Sequence, residues 1–157
     1  MNKLTRIYSE SLRAYGSKAR VIANKGGTRS SKTYSVMQLL VTIAKIRKTP
    51  VFISVVSETL PHLRRGAYKD FKEIIGNEEI AITENKTELT AVFPNGSTIE
   101  FFSVNDWGKV KGPGRDILFI NECNRNTAKQ QGLAAKAVQD ELVDIVYKSF
   151  VKFGVKF

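Results

Sequence analysis

Cysteine, histidine and tryptophan occur once each among the 157 residues, as Cys123, His62 and Trp107. A lone cysteine closes no internal disulfide, which fits a reducing compartment. One cysteine and one histidine far apart in sequence offer no zinc-ligand spacing, so any metal chemistry has to use oxygen ligands. Long apolar runs are also missing. The longest are strand-sized, too short to span a bilayer, and none follows Met1 in the manner of a secretory leader, so the chain is expected not to be secreted. No repeat, low-complexity tract or Gly/Ser-rich linker divides the sequence. Acids are the scarcer charge, 15 against 25 lysines and arginines, for a net +10. That excess favours polyanionic partners such as nucleic acid or nucleotides. A hydrophobic content of 42% with 25% charged residues suits one well-cored globular domain at this length.

Periodicity supplies the expected elements. Residues 3–15 carry Leu4, Ile7, Tyr8, Leu12 and Tyr15 near helical spacing, within a basic N-terminal segment. Residues 19–23 read as a strand that feeds a glycine-rich loop. Residues 32–47 form a helix with Val36, Leu39, Leu40, Ile43 and Ile46 on one face, closed by Pro50. The β-branched run 51–56 reads as a strand buried on both faces. Residues 63–75 resume a helical period, ended by Gly76-Asn77. The runs 88–93 and 98–104 flank Pro94-Asn95-Gly96-Ser97, a strong hairpin signal. Residues 117–120 form the last buried strand, and 127–153 read as one amphipathic helix. Strands alternating with helices, plus a hairpin, predict an α/β fold. It is expected to be a mostly parallel sheet flanked by helices, with a β-hairpin insertion and a C-terminal helix.

Two short runs carry the chemistry. The first is Gly26-Gly27-Thr28-Arg29-Ser30-Ser31-Lys32-Thr33. It follows the phosphate-loop pattern G-x-x-x-x-G-K-[ST], with Ser31 in place of the second glycine. Successive backbone N–H groups of such a loop form a concave anion site, and the helix behind adds its positive dipole end. Lys32 is expected to reach the terminal phosphates and Thr33 to offer its hydroxyl to magnesium. Serine is small enough to keep the close backbone approach at little steric cost. Arg29, inside the loop, is placed to touch the terminal phosphate as an arginine finger from the same chain. The plain alternative is a Gly/Ser-rich turn capped by Ser31, with Arg29 and Lys32 merely solvated.

The second run is Asp116-Ile117-Leu118-Phe119-Ile120-Asn121-Glu122. An apolar strand here delivers a carboxylate to the mouth of the sheet, which makes Glu122 the expected general base. Asn121 can accept a hydrogen bond from a magnesium-bound water but carries no charge. Asp116 belongs to the other end of the strand and is not assigned to the metal. An ordinary acid at a strand end is the alternative for Glu122.

Together these runs resemble the ATPase domain of tailed-phage terminase large subunits, which implies an α/β, phosphate-loop (P-loop) NTPase-type sheet. The intervening Ser54-Val55-Val56-Ser57-Glu58-Thr59, the stretch Leu63-Arg64-Arg65-Gly66-Ala67 and Lys109-Val110-Lys111-Gly112 are similar to it too. The resemblance covers residues 18–125, between a basic helical segment (1–17) and a C-terminal amphipathic helix (126–157). It implies ATP hydrolysis with Mg2+ that drives double-stranded DNA into an empty capsid. It also implies a homo-oligomeric ring at the portal, a small terminase subunit as partner, and a site in the host-cell cytoplasm for a phage or prophage protein. A loop arginine is usual in that family, which carries over to Arg29, and Asn before the catalytic glutamate occurs in some of its branches. The family's C-terminal nuclease domain and its coupling segment are not recognisable here, so the chain is expected to be an ATPase part cut short after the acidic strand. Asp140, Glu141 and Asp144 read as a solvated helix face rather than a nuclease metal site.

Two other functional classes stay open: a nucleotide- or DNA-binding remnant that does not hydrolyse, and an unrelated small phosphate-loop kinase or ATPase. Arg64-Arg65 and Lys109, Lys111 and Arg115 are candidate phosphate-backbone contacts. Tyr8, Tyr15 and Arg20 mark where an adenine pocket is sought. His62 is expected to serve a helix start, Cys123 to pack, and Trp107 to anchor a loop.

Overall fold

The computed structural model describes residues 5–17, 22, 24, 31–106 and 114–121. Helix α1 (Arg6–Gly16) starts where the Thr5 side chain accepts the Tyr8 amide, an N-cap that satisfies one of the helix's orphan donors. Helix α2 (Lys32–Ile46) is apolar almost all round. Val36, Met37, Leu39, Leu40, Val41, Ile43 and Ala44 are all buried, as befits a helix enclosed by other elements. Its C-terminus is held from a distance. Asn95 Nδ2 donates to the Ala44 and Arg47 carbonyls at 2.8 and 2.9 Å, and Asn95 Oδ1 accepts the Ser97 amide at 3.0 Å. The hairpin turn therefore also caps α2.

Five strands form one mixed sheet: β1 (Phe52–Ser57), β2 (Thr83–Asn85), β3 (Thr90–Val92), β4 (Thr98–Ser103) and β5 (Ile117–Ile120), in the order β2-β3-β4-β1-β5. Strand β1 runs parallel to β4 and to β5, with Ser54 opposite both Glu100 and Leu118. β2 and β3 add an antiparallel edge. Helices α3 (Leu60–Arg65) and α4 (Ala67–Asn77) carry the chain away from β1. On one face Ile53, Val55, Ile99 and Phe101 join α2 and α4 in a single core. Phe101 lies against both Phe71, ring centres 5.0 Å apart, and Tyr68, at 5.2 Å edge-on. The opposite face holds a smaller cluster of Val56 and Phe102 with Val104 and Leu118. This is the α/β architecture expected, a parallel three-strand centre flanked by helices.

A buried polar group crosses that second face. Ser54 Oγ donates to Glu100 Oε1, and Arg115 Nη2 lies 3.9 Å from the same carboxylate while its guanidinium covers the Phe102 ring. Glu100 and Arg115 are 7% and 6% exposed. Charges withdrawn this far from water must be compensated locally, which excludes Arg115 as a DNA-backbone contact.

Several local readings need correction. The helix expected over 63–75 is two helices. Thr59 caps the first, accepting from the His62 amide, and the chain breaks at Gly66 before the second. The hairpin stands at its expected place, with Gly96 at φ +85 where an L side chain is strained. Strand β2 was not expected at all. Of residues 19–23 only Ile22 is described, and it is in no strand. The helix expected over 126–157 lies outside the described residues. No helix among the described residues is long and apolar enough to cross a membrane.

The edge strand is tied to α4 by one acid. Glu84 accepts from the Tyr68 hydroxyl and from Lys72 Nζ. Burial pushes the Tyr68 hydroxyl up to about 12, reinforced by its bond to Glu84. Burial alone would raise the Glu84 carboxyl, but hydrogen bonds from Lys72 and Tyr68 outweigh it and hold the group below its ordinary value. A depressed carboxylate stabilises the fold above its unfolded pKa and loses that contribution as pH falls through its folded one. Lys72→Ala is thus expected to cost about 0.5–1 kcal/mol at pH 7, a value set by the half-exposed lysine. In urea melts the gap between wild type and variant should narrow as the pH falls through the lowered Glu84 value; a gap that persists in acid would place the cost in lost packing instead.

Candidate functional site

Parallel strands end on one side, and open α/β sheets take ligands at the carboxyl ends of their strands. Strand β5 ends there in Asn121, whose amide continues the ladder by donating to Val56 O at 2.8 Å. Its side chain is 7% exposed. The first turn of α2 meets it: Thr33 Oγ1 donates to Asn121 Oδ1 at 2.9 Å. These two residues are 88 positions apart, one from each of the runs singled out in the sequence. The fold brings the runs together.

Ser31 explains the glycine preference of its position. It stands at φ 54, ψ 20, the left-handed region, as the residue before α2, and its side chain makes no cap hydrogen bond. The demand is therefore one of backbone conformation as well as close approach. A serine there carries a strain of roughly 1–2 kcal/mol that glycine avoids, more than the little steric cost expected from side-chain size alone. Ser31 O accepts twice from Ser35, from the amide at 2.9 Å and from the hydroxyl at 2.7 Å.

Gly66 is a site residue that periodicity concealed. A Cβ on it would lie 3.7 Å from Asn121 Nδ2, an ordinary contact, and 3.1 Å from His62 O, a tight one, so Gly66 adjoins Asn121 and its lack of a side chain relieves the α3–α4 junction itself. The signal available in the sequence was a glycine inside a helical pattern. Asp116 lies at the opposite end of β5, where its amide donates to Phe52 O and its Oδ2 accepts the Phe52 amide, both at 2.8 Å. It joins β5 to β1 and has no part in the corner at Asn121.

Of the remaining candidates, Lys32 is half-buried at the start of α2. Gly26, Gly27, Thr28, Arg29, Ser30 and Glu122 lie outside the described residues, as do Arg20, Trp107, Lys109, Lys111 and Cys123. Tyr8, sought as part of an adenine pocket, faces the core. Its ring is 8% exposed in the core, with its hydroxyl 3.5 Å from Thr42 Oγ1. Tyr15 packs against the same core and accepts from Arg47 at 3.5 Å. Arg64 and Arg65 are exposed. Among the described residues no three His, Cys, Asp or Glu side chains gather, so the oxygens at this corner are a hydroxyl and an amide.

No protein-family model matches the sequence, and no curated protein matches it. Solved structures do. The large terminase of a thermophilic bacteriophage, in complex with ADP, superposes at a TM-score of 0.63, with 16% identity, over 76% of this chain and 32% of that one. Two further structures of the same phage enzyme, in crystal forms 3 and 2, give TM-scores of 0.61 and 0.57 at 16% identity. They cover 93% and 77% of this chain, and 35% and 32% of theirs. The α/β fold is similar to that of part of a phage large terminase. The likeness at this identity is one of fold, and the chain spans about a third of the length of those terminases. Within the terminase fold, the Thr33–Asn121 contact occupies the carboxyl end of the parallel strands, the ligand side of an open sheet.

Proposed function

We propose that this chain is the ATPase part of a phage large terminase, which binds ATP with magnesium and hydrolyses it to move double-stranded DNA. The observation that carries the proposal is the 2.9 Å contact from Thr33 to Asn121, which joins the phosphate-loop run to the strand-end run. The ADP in the thermophilic phage terminase adds support for a nucleotide as ligand. In this reading the backbone amides of residues 26–31 wrap the phosphates, and Lys32 and Arg29 offset charge on the transferring phosphoryl group. Glu122 orients the attacking water. Thr33, Asn121 and Glu122 would hold the magnesium. The donor set suits that ion: Thr33 gives its hydroxyl hydrogen to Asn121, which leaves its oxygen lone pairs for a hard cation that prefers oxygen. Magnesium held there would supply positive charge against the nucleotide's phosphates.

The net charge of +10 suits a DNA partner. A portal, a small terminase subunit, a ring of copies and a host-cytoplasmic site belong to the same proposal. Phosphate release by the purified chain, with and without double-stranded DNA, tests it. Wild type should turn over ATP, and Lys32→Ala and Glu122→Gln should each lower the rate by roughly 100-fold or more. Nucleotide binding without turnover would instead assign the chain as a non-hydrolysing binding module, a reading that the uncharged Asn121 favours. Phosphorylation of an added small acceptor would make it a kinase.

A further inference from the structure

The left-handed residue at the end of the phosphate loop is connected to the N-terminal helix. Ser35 Oγ donates its only hydrogen to Ser31 O at 2.7 Å. In its 2.6 Å contact with Thr5 Oγ1 it must therefore accept, and Thr5 is the donor. Thr5 Oγ1 in turn accepts the Tyr8 amide at 3.1 Å. The bonds run one way, from the first turn of α1 through Thr5 and Ser35 to the Ser31 carbonyl. Ser35 is fully buried, so water does not compete for its hydroxyl. Ser31 is the residue under conformational strain at φ 54, and it directly precedes Lys32 and Thr33.

We infer that α1 is a latch on the phosphate loop, with Thr5 and Ser35 as positioning residues that hold Ser31 in its left-handed conformation for nucleotide binding. This rests on the nucleotide site proposed above. The energy is of the right size: a hydrogen-bonded run offsets the preference of serine for other backbone regions, which otherwise leaves the required conformer a minor one. Coupling is reciprocal, so bound nucleotide must also tighten α1.

The test titrates Mg–ADP into the full chain by calorimetry, beside thermal melting without nucleotide. Thr5→Val and Ser35→Ala should each weaken affinity by about tenfold. Tyr8→Phe removes a bond in the same α1–α2 contact but off the relay, and should leave affinity unchanged at a similar cost in melting temperature. Thr5→Ser keeps the hydroxyl and should bind as wild type does. In a Ser31→Gly background, where the left-handed conformer carries no side-chain strain, Thr5→Val should weaken affinity by no more than about threefold. Amide exchange in α1 should slow when Mg–ADP is added. Equal affinity of wild type and Thr5→Val overturns the latch and leaves the nucleotide site standing. So does a loss that follows melting temperature equally in Tyr8→Phe. Failure of the wild type to bind Mg–ADP overturns both, an outcome distinct from the latch failing alone.

Discussion

Thr33→Val should lower magnesium-dependent nucleotide affinity on the order of tenfold or more while the chain stays folded. Valine matches threonine in shape, so the change removes one hydroxyl and little else. That hydroxyl has two tasks in the proposed site: it donates to Asn121 Oδ1 at 2.9 Å and presents its oxygen to the metal. Asn121 is 7% exposed, and its carbonyl would lose its partner, for an added stability cost of about 1–2 kcal/mol. Thr33→Ser restores the hydroxyl and should restore most of the affinity. Titrations of ADP in magnesium and in EDTA separate the effects. The variant should lose the difference between the two conditions. A variant that keeps the full magnesium dependence would remove Thr33 from the metal.

Phe101→Ala should cost about 3–5 kcal/mol, the largest stability effect expected of any single truncation here. The ring is 1% exposed and sits in the middle of β4, between Phe71 and Tyr68 of α4. Two aromatic contacts and a core position leave little room for collapse around the void. Domains of this size are stable by about 5–15 kcal/mol in total, so the variant loses a large share of its margin. A shift of urea midpoint at unchanged slope would measure it. A cost below about 1 kcal/mol would mean that α4 does not pack on the sheet as described.

The elements that were legible in the sequence have one dominant signal each. Helix α2 shows through its buried face, β1 through a β-branched run, β5 through four consecutive apolar residues, and the hairpin through Asn95-Gly96. The helix break at Gly66 was hidden because Leu63, Ala67, Phe71 and Ile74 keep a helical period straight across it. Strand β2 has three residues, Thr83, Glu84 and Asn85, too short and polar for any periodic signal, and is held by Tyr68 and Lys72 from α4.

At the site, the local pattern named Thr33 and Asn121 but had no means of showing that they touch, because their contact spans 88 residues. The same holds for Asn95, whose helix-capping bonds reach back 51 and 48 positions, and for the Thr5–Ser35 relay. Arg115 was misread because charge is usually solvated, whereas here Glu100 is its buried neighbour. Tyr8 drew notice as an aromatic ahead of a phosphate loop, and its helical spacing turned the ring into the core.

The most direct test of a single phosphate site built from both runs is calorimetric titration of the wild-type chain with ATP, in magnesium and in EDTA. Saturable binding of one nucleotide per chain, tighter in magnesium by on the order of tenfold or more, is the expected result. No binding at millimolar ATP, or binding indifferent to magnesium, would contradict it.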